Sequence, residues 1–152
     1  MGQSGRRFTE LRAWQTCNAY KEAVYRVCAE GPLSRDWERR RQLEESVAGP
    51  PSHIAAGFGR FNPAEFAGFT LVARASLVES QRHLRDAVDR RYITDGKRRE
   101  VNVFAEAALR EVTGLMEFLQ SAEALWRERR ARGRRIATSA ATGQGRAGLR
   151  KA

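Results

Sequence analysis

The chain has few of the side chains that build catalytic or metal sites. Its 152 residues include only two cysteines and two histidines. On one helix, Cys17 and Cys28 would stand roughly 16 Å apart, which is beyond the ~7 Å between Cα atoms that a disulfide allows, so we expect reduced thiols in a core. His53 and His83 fall on different predicted helices, and no cysteine or histidine has metal-ligand spacing. The sequence predicts a protein that is not an enzyme and carries no metal or cofactor.

Long apolar runs are also missing. No stretch of about 18 apolar residues could cross a membrane, and the first residues, MGQSGRRFTELRAW, lack the apolar core of a signal peptide. We expect a cytoplasmic protein without membrane contact. No β-strand alternation and no internal repeat is present, so a helical domain is the remaining class.

Acidic residues are absent from the C-terminal part of the chain. The formal net charge is +10, from 28 Lys+Arg and 18 Asp+Glu, and all but three of the cations are arginines. Residues 132–152 contain six cations and no acid. Because this tail has no apolar periodicity, we expect it to be disordered and separate from a domain over residues 8–131. The six tail cations are Arg132, Arg134, Arg135, Arg146, Arg150 and Lys151.

Apolar residues recur every three or four positions in four segments, which predicts four helices. They cover residues 8 to about 30, from Ser34 as N-cap to the Gly-Pro-Pro at 49–51, 62 to about 92, and about 98 to 130. Short connections between such helices are typical of an up-and-down antiparallel four-helix bundle. The predicted fold is therefore all-α.

The stretch GPPSHIAAGFGRFNPAEF, residues 49–66, interrupts the second helix. Two adjacent prolines predict a break or kink in this helix, since proline removes a backbone donor and clashes with the preceding turn. The glycines that follow predict a tight reversal through positive φ, and Asn62 predicts an N-cap for the third helix. The turn residues are Pro51, Gly57, Gly59 and Asn62. The alternative is a phosphate site formed by Arg60 and the free N–H groups of the third helix.

The first half of the third helix, FAGFTLVARASLV, is apolar on nearly all sides. A surface helix needs only one apolar stripe, so an all-round apolar helix is buried on several sides. We expect another copy of the chain to cover the outer side, with an interface at Ala67, Leu71, Val72 and Val78. The alternative is a central helix covered by loops of its own chain.

The same region carries a family resemblance. The stretch QLEESVAGPPSHIAAGFGR resembles the signature of the 23S rRNA intervening-sequence proteins, which are small bacterial four-helix bundle proteins, and the similarity extends over roughly residues 8–93. Two departures stand out: the family's Arg-Arg is Glu44-Glu45 here, and the basic tail is an addition. The matching residues are Gln42, Leu43, Pro51, Ile54, Ala55, Gly57, Phe58, Gly59 and Arg60.

The resemblance implies a four-helix protomer that assembles as a ring-like homopentamer. Relatives include the accessory variability determinant of diversity-generating retroelements, a basic pentamer that binds RNA or DNA and partners a reverse transcriptase. The resemblance thus implies a nucleic-acid-binding scaffold, with RNA as the expected ligand and a reverse transcriptase as a candidate partner.

The charge pattern agrees with a polyanionic partner such as nucleic acid. Most helical arginines have acids three or four residues away, which indicates solvated helix faces, whereas residues 132–152 contain no acid. We therefore expect the tail to be the main nucleic-acid site and Arg82, Arg85 and Arg60 to be secondary candidates. The alternatives are an adaptor that docks an acidic protein, and a structural oligomer whose charge maintains solubility.

Overall fold

The computed structural model describes residues 7–60 and 62–146, without the side chains of residues 143–146. The described residues form four α-helices and two short 3₁₀ turns, and no β-strand occurs among them. The turns span Phe8–Glu10 and Pro32–Arg35, and the helices are α1 (Arg12–Cys28), α2 (Trp37–Phe58), α3 (Pro63–Asp89) and α4 (Asp95–Arg146).

Each helix packs antiparallel to its neighbours. Between α3 and α4, the Nε of Arg74 donates to the Thr113 hydroxyl at 3.3 Å, and Gln81 donates to Asn102 at 2.9 Å, so sequence numbers rise on one helix as they fall on the other. Helix α1 packs against both α2 and α4, and α3 packs against the same two helices. The predicted all-α four-helix bundle is therefore confirmed.

The bundle core contains one polar connection, between α1 and α3. The Tyr20 hydroxyl lies 2.8 Å from Ser80 Oγ, and Ser80 Oγ donates to the Leu77 carbonyl at 2.6 Å. Because the single serine proton is used there, Tyr20 donates to Ser80. Both side chains are fully buried, and burial raises the pKa of Tyr20 to about 12. The pair satisfies its own polar atoms and fixes the register of the two helices.

The start of α2 differs from the prediction. Asp36, not Ser34, is the N-cap, and its carboxylate accepts a hydrogen bond from the Arg39 backbone N–H at 3.1 Å. Ser34 belongs to the preceding 3₁₀ turn and donates to the Gly31 carbonyl. The Tyr92 hydroxyl also donates to Asp36, at 2.8 Å, and these two bonds lower the pKa of Asp36. The cap thus ties the start of α2 to the end of α3.

The prolines do not end α2. The helix continues from Trp37 to Phe58 with Pro50 and Pro51 inside it. Of the two predicted outcomes the break is therefore wrong, and the kink stays a prediction. Each proline removes one backbone hydrogen bond, but both rings are buried and the flanking Val47 and Ile54 are core residues. Apolar packing on both sides of the pair holds the two halves of the helix in place.

Gly57 serves a different purpose from the one predicted. Positive φ occurs at Gly31 and Arg91 among the described residues, and not at Gly57 or Gly59. A Cβ on Gly57 would lie 2.4 Å from Cδ2 of Phe66 and 3.0 Å from Cβ of Phe69. The glycine therefore allows α2 and α3 to approach closely, and the turn itself needs no left-handed residue.

Helix α3 begins and ends in well-defined caps. Asn62 Oδ1 accepts from the Ala64 N–H at 2.9 Å, and Pro63 occupies the first helical position. At the other end, the Tyr92 N–H donates to the Ala87 carbonyl and the Arg91 N–H to the Val88 carbonyl, both at 2.8 Å. This is the Schellman arrangement. Its left-handed position, usually glycine, is held here by Arg91 with φ 60°.

Helix α4 is longer than predicted at its C-terminal end. It starts at Asp95 and continues to Arg146, past the expected end at Arg130. Disorder was expected from residue 132, but residues 132–146 are helical. Alanine and arginine favour helix strongly, and no proline follows Pro63, so the strongest helix-breaking residue is absent from this region. Residues 147–152 of the predicted tail lie outside the described residues.

Candidate nucleic-acid interface

The C-terminal part of α4 extends beyond the bundle. Leu119 is its last buried residue, Ala122 and Glu123 are half-buried, and every side chain described from Ala124 to Thr142 is exposed. We call residues 124–146 the α4 extension. At 1.5 Å per residue, it is about 34 Å long, which makes it a helix whose whole circumference is accessible to a partner.

The α4 extension is densely cationic. Residues 127–135 contain six arginines and one glutamate, Glu128. Arg127 forms an ion pair with Glu123 at the base. Among the described residues, the other five have no carboxylate partner within 4.0 Å. These five are Arg129, Arg130, Arg132, Arg134 and Arg135. Their charge is therefore not neutralised locally.

Four of the six predicted tail cations lie on the α4 extension, and three of them have described side chains. Arg132, Arg134 and Arg135 are exposed within a single helical turn. Arg146 is the last residue of the helix, and its side chain is outside the described part. Arg150 and Lys151 also lie outside the described residues.

Sequence reasoning missed that Arg129 and Arg130 belong to the same cationic helix. It grouped them with the helical arginines near Glu123, which were interpreted as a solvated helix face, and not with the tail. The guanidinium of Arg130 lies 4.5 Å from the ring centre of Trp126, within cation–π distance. Alanine, glutamate and arginine favour helix on both sides of position 131, with Gly133 as the one weak residue nearby. This pattern was the signal that could have joined these arginines to the tail.

Arginines on the bundle are mostly paired with acids, as expected. Arg40 donates to Glu44 at 2.8 Å and Arg41 to Glu45 at 2.7 Å, both one turn apart on α2. The two glutamates that replace the arginines of the family signature therefore neutralise their neighbours on the same helix. This face of α2 has little unpaired positive charge to offer a polyanion.

The two secondary candidates on α3 differ in their surroundings. Arg85 is exposed, with its guanidinium 3.8 Å from the Asp95 carboxylate. Arg82 lines a groove of about 440 Å³ between α2 and α3, together with Glu45, Glu79 and both histidines. Carboxylates thus accompany both arginines, and neither site concentrates positive charge as the α4 extension does.

The turn between α2 and α3 is poorly arranged for a phosphate. Asn62 already occupies the Ala64 N–H. The Glu65 carboxylate lies 4.0 Å from the Arg60 guanidinium, which also sits 5.7 Å from the ring centre of Phe69. The Glu65 carboxylate and the Asn62 cap occupy the positions where an anion would bind. These contacts therefore favour a structural role of the turn over a phosphate site.

The outer face of α3 carries an exposed apolar stripe. Leu71, Val72 and Val78 are 51%, 48% and 48% exposed. Ala67, the fourth predicted interface residue, is only 6% exposed and packs with Phe66 and Leu119, so its assignment to a surface interface is wrong. Leu119 reaches Ala67 because α4 covers that side of α3. The remaining three residues contact no covering element within the described chain.

The described residues offer little else for chemistry. They contain no cluster of three or more His, Cys, Asp or Glu side chains that could hold a metal ion. Both thiols are buried in the core, and burial raises the pKa of Cys17 and of Cys28 to about 12. Among the same residues, none of the helices combines the length and apolar character needed to cross a bilayer.

The fold and its sequence pattern agree with a known protein family. The family profile described as 23S rRNA-intervening sequence protein matches residues 9–114. The chain belongs to the 23S rRNA-intervening sequence protein family. No curated protein matches the chain.

The region matched by the family profile ends before the cationic part of α4. It covers α1, α2 and α3 and ends at Gly114, within α4. The α4 extension therefore lies outside the part of this 23S rRNA-intervening sequence protein that the family profile describes. The matched region contains most of the bundle, and the cationic part of α4 lies beyond it.

Proposed function

We propose that the protein is a non-enzymatic, self-associating scaffold that binds nucleic acid through the α4 extension and the tail that follows it. The observation that carries this proposal is the run of five unpaired arginines, Arg129 to Arg135, on an exposed helix. Arginine binds phosphate well because its planar guanidinium donates two parallel hydrogen bonds. The family name, which refers to 23S rRNA, agrees with an association with RNA.

Self-association is the second part of the proposal. Leu71, Val72 and Val78 are about half exposed on the outer side of α3. A second copy of the chain is the occupant that fits, because the stripe is apolar and the bundle is small. Family resemblance adds that the assembly is a ring of five protomers. Such a ring would bring five α4 extensions together and increase affinity through effective concentration.

A reverse transcriptase is the candidate protein partner, on resemblance to the accessory protein of diversity-generating retroelements. A pure protein adaptor is the competing function, in which the arginines dock an acidic protein. A structural oligomer with no nucleic-acid ligand is the third. A nucleic-acid binding experiment separates the nucleic-acid-binding scaffold from the adaptor and from the structural oligomer.

The nucleic-acid experiment compares two sets of variants by fluorescence anisotropy with labelled RNA and DNA. Truncation after Ala131 removes the tail cations, whereas Arg82→Glu with Arg85→Glu reverses charge on the bundle. We expect the truncation to weaken binding at least tenfold and the double substitution to change it less than threefold. If the double substitution weakens binding more than the truncation does, the site is on α3. A wild-type protein that binds no nucleic acid at low salt would refute the proposal and favour the adaptor.

Self-association is tested with Leu71→Arg and Val78→Arg. Each places a charge on the exposed stripe, so we expect smaller species in light scattering with unchanged helix content. Val103→Arg is a matched control, because Val103 is an exposed valine, 69% accessible, on α4 rather than on α3. If wild type is a monomer at micromolar concentration, or the control dissociates as readily, the stripe is not the interface.

A further inference from the structure

The α4 extension has the form of a preformed binding element rather than a flexible tail. Residues 124–146 are helical although none of the described side chains beyond Glu123 is buried. Local sequence must therefore favour this helix, and it contains alanine at positions 124, 131, 137, 140 and 141. Gly133 is the one glycine within residues 124–142, and it sits between Arg132 and Arg134.

The arginines are distributed around the helix on two separate ridges. At 100° per residue, Arg130 and Arg134 share one side, and Arg129 and Arg132 share another, roughly 150° away. Arg135 lies between the two ridges. A flat charged surface could engage only one ridge at a time. A ligand with phosphates on two opposing walls could engage both.

Groove dimensions decide which double helix offers such walls. An α-helix with its side chains is about 10 to 12 Å across, and the major groove of B-form DNA is about 12 Å wide, with phosphates on both sides. The major groove of regular A-form RNA is deep and narrow, and protein side chains do not read it. The length of the extension, about 34 Å, is close to one helical turn of B-form DNA.

We propose that the α4 extension binds duplex DNA as a helix in the major groove, with the Arg130/Arg134 ridge and the Arg129/Arg132 ridge on opposite phosphate walls. This inference rests on the proposed nucleic-acid function and narrows it to a ligand form and a binding geometry. A flexible cationic tail would instead bind any polyanion by charge alone. The two hypotheses differ in whether tight binding requires the helical conformation of the α4 extension.

Gly133 allows a test at constant charge. A Cβ at this position would meet no atom within 4 Å, so alanine fits without any clash. Gly133→Ala raises helix propensity, and Gly133→Pro breaks the helix in the middle of the arginines. Neither changes a charge or touches the bundle, so the thermal melting of the bundle should be the same in both. Circular dichroism of the full chain reports the helix lost in the proline variant.

The assay is anisotropy with a 20-base-pair DNA duplex of about two turns, an RNA duplex of the same sequence, and a single strand. We expect wild type to bind the DNA duplex tighter than the RNA duplex. Gly133→Pro should lose at least tenfold on the DNA duplex and less than threefold on the single strand. Gly133→Ala should bind the DNA duplex as tightly as wild type or up to about fivefold tighter, the equivalent of 1 kcal/mol.

Two outcomes overturn this inference alone: Gly133→Pro binding the DNA duplex as wild type does, or the RNA duplex binding as tightly as the DNA duplex. In either case the protein still binds nucleic acid, so the broader proposal stands. If wild type binds none of the three probes, both the inference and the proposed function are wrong.

Discussion

Substitution of Gly57 by alanine tests the close contact between α2 and α3. The added Cβ would lie 2.4 Å from Cδ2 and 2.9 Å from Cε2 of Phe66, and 3.0 Å from Cβ of Phe69. Overpacking costs about 1 to 3 kcal/mol, and so close an approach to a buried ring belongs in the upper part of that range, about 2 to 3 kcal/mol. Alanine in a helix offsets about 1 kcal/mol of this. We therefore expect a net loss of about 1 to 2 kcal/mol in the free energy of unfolding.

A double-mutant cycle identifies the cause of that loss. In a Phe66→Leu background the ring is gone, so Gly57→Ala should be neutral or slightly stabilising, and the two sites should be strongly coupled. Gly59→Ala is the control, since Gly59 has φ −71° and its Cβ would approach no atom closer than 3.4 Å. Urea unfolding followed by circular dichroism gives each value. The reasoning fails if Gly57→Ala is as stable as wild type, or if its cost persists without the Phe66 ring.

Three further predictions concern stability. Gly31 has φ 59° and ψ −158°, a region that is essentially restricted to glycine, so Gly31→Ala should cost about 1 to 3 kcal/mol in urea unfolding. Arg91→Gly should stabilise by about 1 kcal/mol, because glycine relieves the left-handed conformation at φ 60°; a lower melting temperature would contradict this. Burial raises the thiol pKa of Cys17 and Cys28 from 9.0 to about 12, so the stabilisation is complete below pH 9.0 and is lost as pH rises toward 12. The free energy of unfolding should therefore fall over that interval, and Cys17→Ala with Cys28→Ala should flatten the decline.

The fold was predictable because its signals are local. The apolar stripes of α1 and α3 place Cys17, Tyr20 and Leu77 in the core, and Asn62-Pro63 marks the start of α3. Such spacing and capping depend on residues within a few positions of each other.

The errors arose where distant residues decide. The prolines remain inside α2 because Val47 and Ile54 are held by other helices, and Gly57 is required by the ring of Phe66 on α3. Ala67 is buried by Leu119, 52 positions later in the sequence. No local pattern encodes these contacts.

The candidate site was predicted in part. Composition alone located the excess of arginine after residue 131. The helical state of that region was missed because charge and low apolar content were weighted above the helix propensity of alanine and arginine. Arg129 and Arg130 were consequently separated from Arg132, although they share one continuous helix.

The dependence of nucleic-acid affinity on salt tests the central claim most directly. Each phosphate neutralised by the protein adds about 0.7 to 0.9 to the slope of log affinity against log salt. If the cations beyond Ala131 bind phosphates, truncation there should flatten the slope per protomer by at least about 2 and by up to about 5, while light scattering shows the same oligomer. Equal slopes for the truncated and complete chains would contradict the claim that this segment is the nucleic-acid site.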